Sequence, residues 1–235
     1  MKQPWVEALV PVKGFAVAKK RLSALLSPAE RSELARAMLS DVIEALDSAP
    51  EVAQIWVISP DAAVRALAVS ASANALAEPA GCSGLNQALE AGRRSVIRAC
   101  GPEHALLVLP MDVPSVDAAA IAEFIGADAE RKSLVRLCPS NDGGTNALLQ
   151  LPPDAIPFAF GKNSAKLHEE AALERGLPCE RRDIAALHTD ADRPEDLARL
   201  LTEGCGPHTT AVASRLGLLR RMRRGPLTPR RGASP

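Results

Sequence analysis

The sequence predicts an α/β fold: one mostly parallel mixed sheet covered by helices on both faces. Three observations lead there. Short apolar runs alternate with segments of helical spacing, the pattern of βα units feeding one sheet. The 235 residues suffice for one sizeable α/β domain. Residues able to do chemistry stand where strands end, Lys13 after the first and Asp112 after the fourth. In open α/β sheets the carboxyl ends of strands are where ligands gather.

The first strand is the apolar run Trp5–Val12, which stops at Lys13-Gly14. A helix starts at Ser27. Serine is the N-cap, Pro28 takes the first helical position, Glu30 closes a capping box, and Leu34, Met38, Val42 and Ala45 keep helical spacing. Residues 53–59 (AQIWVIS) form the second strand, 61–71 a helix and 73–77 a short third strand. Residues 82–97 begin with small side chains and become helical, with Leu85, Leu89 and Val96 along one face. Ala105–Leu109 is the fourth strand. A helix from Asp117, strands at 133–138 and 145–151, a helix from Ser164 and a last helix near Pro194 complete the body. No internal repeat is present. From Gly204 the pattern fails, so 1–204 is expected to be the folded domain and 205–235 a basic, disordered tail, either solvated or in contact with RNA or a partner.

Composition narrows the function. Aromatic residues are 3% of the chain, with no Tyr, which disfavours base-stacking surfaces for single-stranded nucleic acid. The zero net charge hides an asymmetry, because residues 215–235 hold seven Arg and no acid. Without those seven, 21 basic residues face 28 acidic ones, a body unlike that of a duplex DNA reader. The five cysteines are scattered and form no C-x-x-C pair, so neither a disulfide framework nor a zinc knuckle is indicated. No signal peptide or run of ~18 apolar residues is visible. A cytoplasmic protein that binds neither nucleic acid nor membrane is expected.

Four stretches carry chemistry. In VKGFAVAKKRL, the cations Lys13, Lys19, Lys20 and Arg21 cluster beside Gly14 on a strand-to-helix loop; this is no Walker A sequence, and it suits either a polyphosphate or solvent. Asp112 stands between Pro110 and Pro114, whose fixed φ angles limit where its carboxylate points. That helps a metal ligand more than a helix cap. In HTDADRPEDL, an extended backbone puts Asp190 and Asp192 on one face, where two like charges call for a cation; Asp192 has the alternative of capping the last helix with Glu195. Finally, Gly143-Gly144 admits a close backbone approach before Thr145, and Gly161 precedes a helix starting near Asn163 or Ser164. A small anion fits between Thr145 and Ser164 at that helix N-terminus, within reach of His168; the plainer alternative is a turn and an N-cap. H-E-x-x-H and G-x-S-x-G are absent, so hydrolase chemistry has no support.

Taken in order, VPVKGFAVAKKRL, GLNQAL, PMDVP, DGGTNALL, FGKNSAKLH and DADRPEDL resemble the CofC-like family of guanylyltransferases over roughly residues 6–200. The resemblance implies a single-domain nucleotidyltransferase fold of the GT-A type, Rossmann-like, using GTP and Mg²⁺ in coenzyme F-420 biosynthesis. It implies Asp112 and Asp190, with Asp192, as metal carboxylates. Lys13, Gly14, Lys19 and Arg21 match phosphate-binding positions, and Asn86 lies near the nucleoside. Thr145, Gly161 and Ser164 match positions that hold a phosphorylated three-carbon acid: phosphoenolpyruvate, 2-phospho-L-lactate or 3-phospho-D-glycerate. Two departures fall near that site, Lys162-Asn163 after Phe-Gly and Met111 before the metal aspartate. Partners would be those substrates, with the next enzyme of the pathway and a second copy of the chain as further candidates. The alternatives are a molybdopterin guanylyl- or cytidylyltransferase, which would carry a G-G-x-S-x-R-M-G loop, and a non-catalytic nucleotide-binding module.

Overall fold

The computed structural model describes residues 5–127 and 130–223. Among them, seven strands form one sheet: β1 (Val6–Pro11), β2 (Val52–Ser59), β3 (Asn74–Ala77), β4 (Ala105–Val108), β5 (Leu134–Pro139), β6 (Thr145–Leu151) and β7 (Cys179–Arg181). Their spatial order is β3-β2-β1-β4-β6-β5-β7. β1 is parallel to β2 and β4, β2 to β3, and β5 to β7, while β6 runs antiparallel to both β4 and β5. The sheet is therefore mixed and mostly parallel, as the alternation predicted. Because β6 is reversed, its first residue Thr145 pairs with Pro139 at the carboxyl end of β5. Its start thus shares an edge with the carboxyl ends of β1 and β4.

Helices cover both faces because the strands are apolar on both sides. Ala8 and Val10 face one core and Leu9 the other, as the two-residue period of a strand requires. The first core is closed by α1 (Pro28–Asp47), α2 (Ala62–Ser70) and α4 (Ala118–Ile125), through residues such as Leu39, Val64 and Phe124. The second is closed by α3 (Leu85–Cys100) and α5 (Ser164–Glu174), through Leu89, Val96 and Ala172. α1 starts as its sequence predicts, with Ser27 and Glu30 in a reciprocal capping box and Pro28 in the first turn. Asp117 caps α4, accepting from the N–H of Ala120 at 2.8 Å. α7 (Pro194–Glu203) is the predicted last helix, and the four-residue α6 (Ala185–His188), which the sequence pattern did not announce, precedes it.

The folded body does not stop at residue 204. Two further helices follow, α8 (Pro207–Leu216) and α9 (Leu218–Arg223), and α8 lies along α1. Leu218 and Ala213 enter a third apolar cluster with Leu34, Met38, Leu197 and Leu200. The cap of α8 comes from another helix: buried Asp41 of α1 accepts from the N–H groups of His208 at 2.9 Å and Thr209 at 2.8 Å. Gly206 makes this possible, since a Cβ there would fall 2.2 Å from Asp41 Cγ. Arg221 pairs with Glu30 at 2.8 Å, and Arg215 pairs with Glu33. The expectation of a disordered tail therefore fails for residues 207–223. Few apolar side chains are needed when they fill a preformed groove and the cap is supplied from a distance. Residues 224–235 lie outside the described residues.

Deleting residues 207–235 should destabilise the protein. Losing the burial of Leu218 and the charge-assisted cap at Asp41 costs about 3–5 kcal/mol. At this chain length that corresponds to a thermal midpoint lower by on the order of 10 °C. Calorimetry of the truncated chain checks this; an unchanged midpoint would mean that α8 and α9 contribute nothing to the fold.

Candidate active site

The loop after β1 is held at both ends. The N–H of Val12 bonds the carbonyl of Ile58 at 3.0 Å, and the N–H of Phe15 bonds Asp61 Oδ2 at 3.1 Å. The Phe15 ring is buried, with the Arg36 guanidinium 4.4 Å from its centroid. Farther on, Leu22 is buried in the third cluster. Between these anchors Lys19 adopts a left-handed backbone, φ 53°, which a non-glycine residue keeps only when its surroundings enforce it. Its Nζ lies 3.3 Å from Asp112 Oδ2 and 3.2 Å from Asp192 Oδ1. Arg21, exposed at the rim, reaches Asp192 Oδ2 at 3.3 Å. Asp61 was not singled out from sequence; its place as the α2 N-cap behind Ser-Pro was the available signal.

Asp112 stands in the loop after β4, beyond Leu109, Pro110 and Met111, and caps no helix. Neighbouring Val113 is buried, and the backbone carbonyl of Asp112 accepts from the N–H of Ala191 at 2.8 Å. That bond brings Asp190 and Asp192 to Asp112, and one oxygen from each of the three lies within 4.8 Å of the others. The capping alternative for Asp192 falls away, because the N-cap of α7 is Arg193 and no side chain bonds there. Burial first, then the charges of Asp112 and Asp192, push the Asp190 carboxyl up to about 6 against the pull of Lys19. Burial works against the Lys19 ammonium as well, but the combined charge of Asp112 and Asp192 outweighs it and holds that pKa above its ordinary value. One buried ammonium thus pairs with two of the three carboxylates. The donors are all hard oxygens, a set that suits a divalent cation such as Mg²⁺, Mn²⁺ or Ca²⁺.

The sequence grouped Lys13, Lys19 and Arg21 as phosphate cations, and the structure separates them. Lys19 is folded onto the carboxylates with its side chain 2% exposed, and Arg21 stands beside it. Lys13 instead lines a cleft of about 280 Å³ with Val12, Glu78 and Leu85, where burial raises the Glu78 pKa and the Lys13 charge opposes that rise. Gly14, buried, joins the two parts of the loop. Next to this cleft, a cavity of about 450 Å³ opens over the start of α3 and is lined by Asn86, Gln87 and Gly81. The Asn86 side chain is also tied elsewhere: Nδ2 donates to the carbonyl of Phe160 at 3.1 Å, and Oδ1 accepts from its N–H at 2.8 Å.

The turn before β6 is tight, since a Cβ on Gly144 would lie 2.6 Å from Ser140 Oγ. It sets Thr145 beside α5, where Ser164 Oγ stands 3.0 Å and His168 Nδ1 3.1 Å from Thr145 Oγ1. The expectation that His168 reaches a ligand is corrected. It is fully buried, and its Nε2 accepts from the N–H of Ala159 at 3.0 Å, so neither ring nitrogen is left over. Burial pushes its pKa down to about 4. The helix N-terminus is also less open than expected: the N–H of Ser164 bonds the carbonyl of Gly161, and that of Ala165 the carbonyl of Gly143. Asn163 is the N-cap by position, but its side chain makes no capping bond, and Lys162 is exposed. A separate group, Asp41, Glu44 and His208, has its oxygens engaged in capping α8 and in the Glu44–His208 pair at 3.2 Å.

A model of the family described as guanylyl transferase, CofC like, matches residues 6–231. The chain belongs to this family. A phosphoenolpyruvate guanylyltransferase from Rubrobacter xylanophilus is 42% identical over 202 residues, 85% of this chain and 95% of the relative. A 3-phospho-D-glycerate guanylyltransferase from Phenylobacterium zucineum is 35% identical over 219 residues, 89% and 96% of the two chains. Among solved structures, a nucleotide-diphospho-sugar transferase from Desulfovibrio desulfuricans superposes with a TM-score of 0.73 at 14% identity, covering 92% of this chain and 97% of that one. This likeness shows a shared α/β fold. Among the described residues, no helix of this CofC-like chain is long and apolar enough to cross a membrane.

Two outcomes are expected of these side chains. Without metal, Asp190→Asn should raise stability at pH 7.5 by about 1–2 kcal/mol, because the burial cost of a carboxylate and its repulsion by Asp112 and Asp192 are both relieved. Asp112→Asn should lower it, because buried Lys19 loses a partner. Equal midpoints in the two variants would contradict this charge balance. The second outcome concerns acid. His168 is held neutral, so its contribution is complete above pH 6.5 and is lost as pH falls toward 4, a loss of up to about 3 kcal/mol. Urea unfolding at pH 7.5 and 5 should show a smaller acid loss in His168→Gln than in the parent; identical losses would exclude His168 as the cause.

Proposed function

We propose that the protein transfers GMP from GTP to the phosphate of a small three-carbon phospho-acid, releasing diphosphate, as a cytoplasmic step of coenzyme F-420 biosynthesis. The observation that carries this reading is the meeting, on one sheet edge, of three carboxylates around Lys19 with the buried Thr145–Ser164 hydroxyl pair. Membership in the guanylyl transferase family and relatives named for two such acceptors support it.

Asp112, Asp190 and Asp192 are the residues to hold Mg²⁺. Held there, the ion would supply neutralisation of triphosphate charge. Lys19 and Arg21 set the charge between these carboxylates and the phosphates, and Lys13 with Gly14 faces the nucleotide from the neighbouring cleft. The acceptor's phosphate oxygen attacks the α-phosphorus, a new phosphoanhydride forms, and the bond to the β-phosphate breaks. That oxygen is already anionic at neutral pH, so no general base is needed. This accords with an imidazole sealed away from the reaction. Positioning does most of the work. Thr145, Gly161 and Ser164 hold the acceptor, and the cavity beside Asn86 takes the nucleoside.

Diphosphate release should occur with GTP, and with no other common nucleoside triphosphate, when one of phosphoenolpyruvate, 2-phospho-L-lactate or 3-phospho-D-glycerate is supplied. Thr145→Val should raise the acceptor's KM roughly ten- to a hundredfold, the loss of one hydrogen bond to a charged group, and Ser164→Ala should raise it less, by removing the hydroxyl that orients Thr145, each with little change for GTP. GTP binding without release for any acceptor would replace this reading with the regulatory module. An effect confined to the KM of GTP would move Thr145 and Ser164 to the nucleotide.

A further inference from the structure

We propose that His168 is a positioning residue whose tautomer frees one hydroxyl proton of the Thr145–Ser164 pair for the phospho-acid acceptor. The inference rests on the reading that this pair holds the acceptor. A proton count carries it. The N–H of Ala159 points at His168 Nε2 from 3.0 Å, so Nε2 accepts and bears no hydrogen. A neutral imidazole then carries its proton on Nδ1, 3.1 Å from Thr145 Oγ1, and donates to that oxygen. Protonating Nε2 would set two N–H groups against each other in a fully buried place. The burial that pushes the imidazole down to about 4 agrees.

Thr145 Oγ1 and Ser164 Oγ are 3.0 Å apart, a gap bridged by one hydrogen, while the pair owns two. Because Nδ1–H already serves Thr145, neither hydroxyl hydrogen is spent on the imidazole, and one remains. With the other tautomer, Thr145 would donate to Nδ1 and Ser164 to Thr145, leaving none. Ser164 is wholly buried and Thr145 is 6% exposed, so Thr145 is the outlet: Ser164 donates to Thr145, and Thr145 donates outward. The tautomer is set by backbone held on its other side. Phe160, next to Ala159, packs edge-on to the imidazole at 5.0 Å and is bonded through both its N–H and its carbonyl to Asn86.

The experiment has a spectroscopic arm and a kinetic one. In ¹⁵N-labelled parent protein at pH 7.5, imidazole correlations should report a protonated Nδ1 and a bare Nε2 for His168; the reverse pattern overturns the proposal. His168→Gln keeps an acceptor for Ala159 and removes the donor to Thr145. It should raise the acceptor's KM about tenfold, leave that of GTP unchanged, and add nothing in a Thr145→Val background. His168→Asn, with an amide N–H where Nδ1–H stands, should keep the acceptor's KM near the parent's. If Thr145→Val alone leaves the acceptor's KM unchanged, the acceptor-site reading fails and this inference with it. If Thr145→Val raises that KM but His168→Gln raises both KM values alike, or adds fully to Thr145→Val, only the role of His168 is overturned. Should His168→Gln fail to fold, the spectrum of the parent and the Asn variant decide.

Discussion

Three carboxylates that each bring one oxygen within 4.8 Å of the others repel unless positive charge stands among them, and the construction of the site answers that repulsion. A like-charge pair at such a distance costs about 3–4 kcal/mol at an effective dielectric of 20. Lys19 offsets two of the three carboxylates, and to do so it takes a left-handed backbone that costs on the order of 1–3 kcal/mol. The smaller cost yields to the larger gain because Phe15 and Leu22 anchor the loop on either side. Asp190, which Lys19 does not bond, is left with burial first and the remaining repulsion second, and its carboxyl is pushed up to about 6. A divalent ion would complete a balance that one ammonium begins.

The topology explains why these charges can meet at all. β1 and β4 are neighbours in the sheet but far apart in the chain, and their loops diverge from a shared edge. Reversing β6 brings its first residue to that edge, so Thr145 arrives without a crossover helix. The segment after β7 then returns through Thr189 to Asp192, pinned to Asp112 by one backbone bond from Ala191. Four separate stretches of sequence are thus joined by sheet order and very few contacts.

Features whose cause is local were readable from sequence. The Ser27–Glu30 box, the helix start at Asp117 and Asp112 between its prolines depend on residues a few positions apart. What escaped has a distant cause. α8 is capped by Asp41, more than 160 positions away in the chain, so no local pattern announces it. Asp192 has the spacing of a capping box with Glu195, and only the meeting with Lys19 and Arg21 settles where its carboxylate goes. His168 read as a ligand-facing group because its helical position was visible while the amide of Ala159 opposite it was not. The three-residue β7 is too short to show a period.

The two halves of the proposed reaction meet through one rigid connection. Asn86 lines the cavity assigned to the nucleoside and bonds Phe160 twice; Phe160 packs on His168, and His168 bonds Thr145. The segment from Ile156 to Phe160 is fastened at further points, by Gln150 to the N–H of Ile156 and by Arg93 to its carbonyl, with the same guanidinium 4.7 Å from the Phe158 ring. A reaction that needs no base gains its rate from how well two anions are brought together, and a misplacement of about 1 Å can cost on the order of a hundredfold. Mobile loops would hold that geometry poorly. A series of contacts running from α3 to the start of β6 holds it better, because Asn86, Phe160 and His168 each have fixed partners while, in the proposed arrangement, the Thr145 hydroxyl turns toward the acceptor.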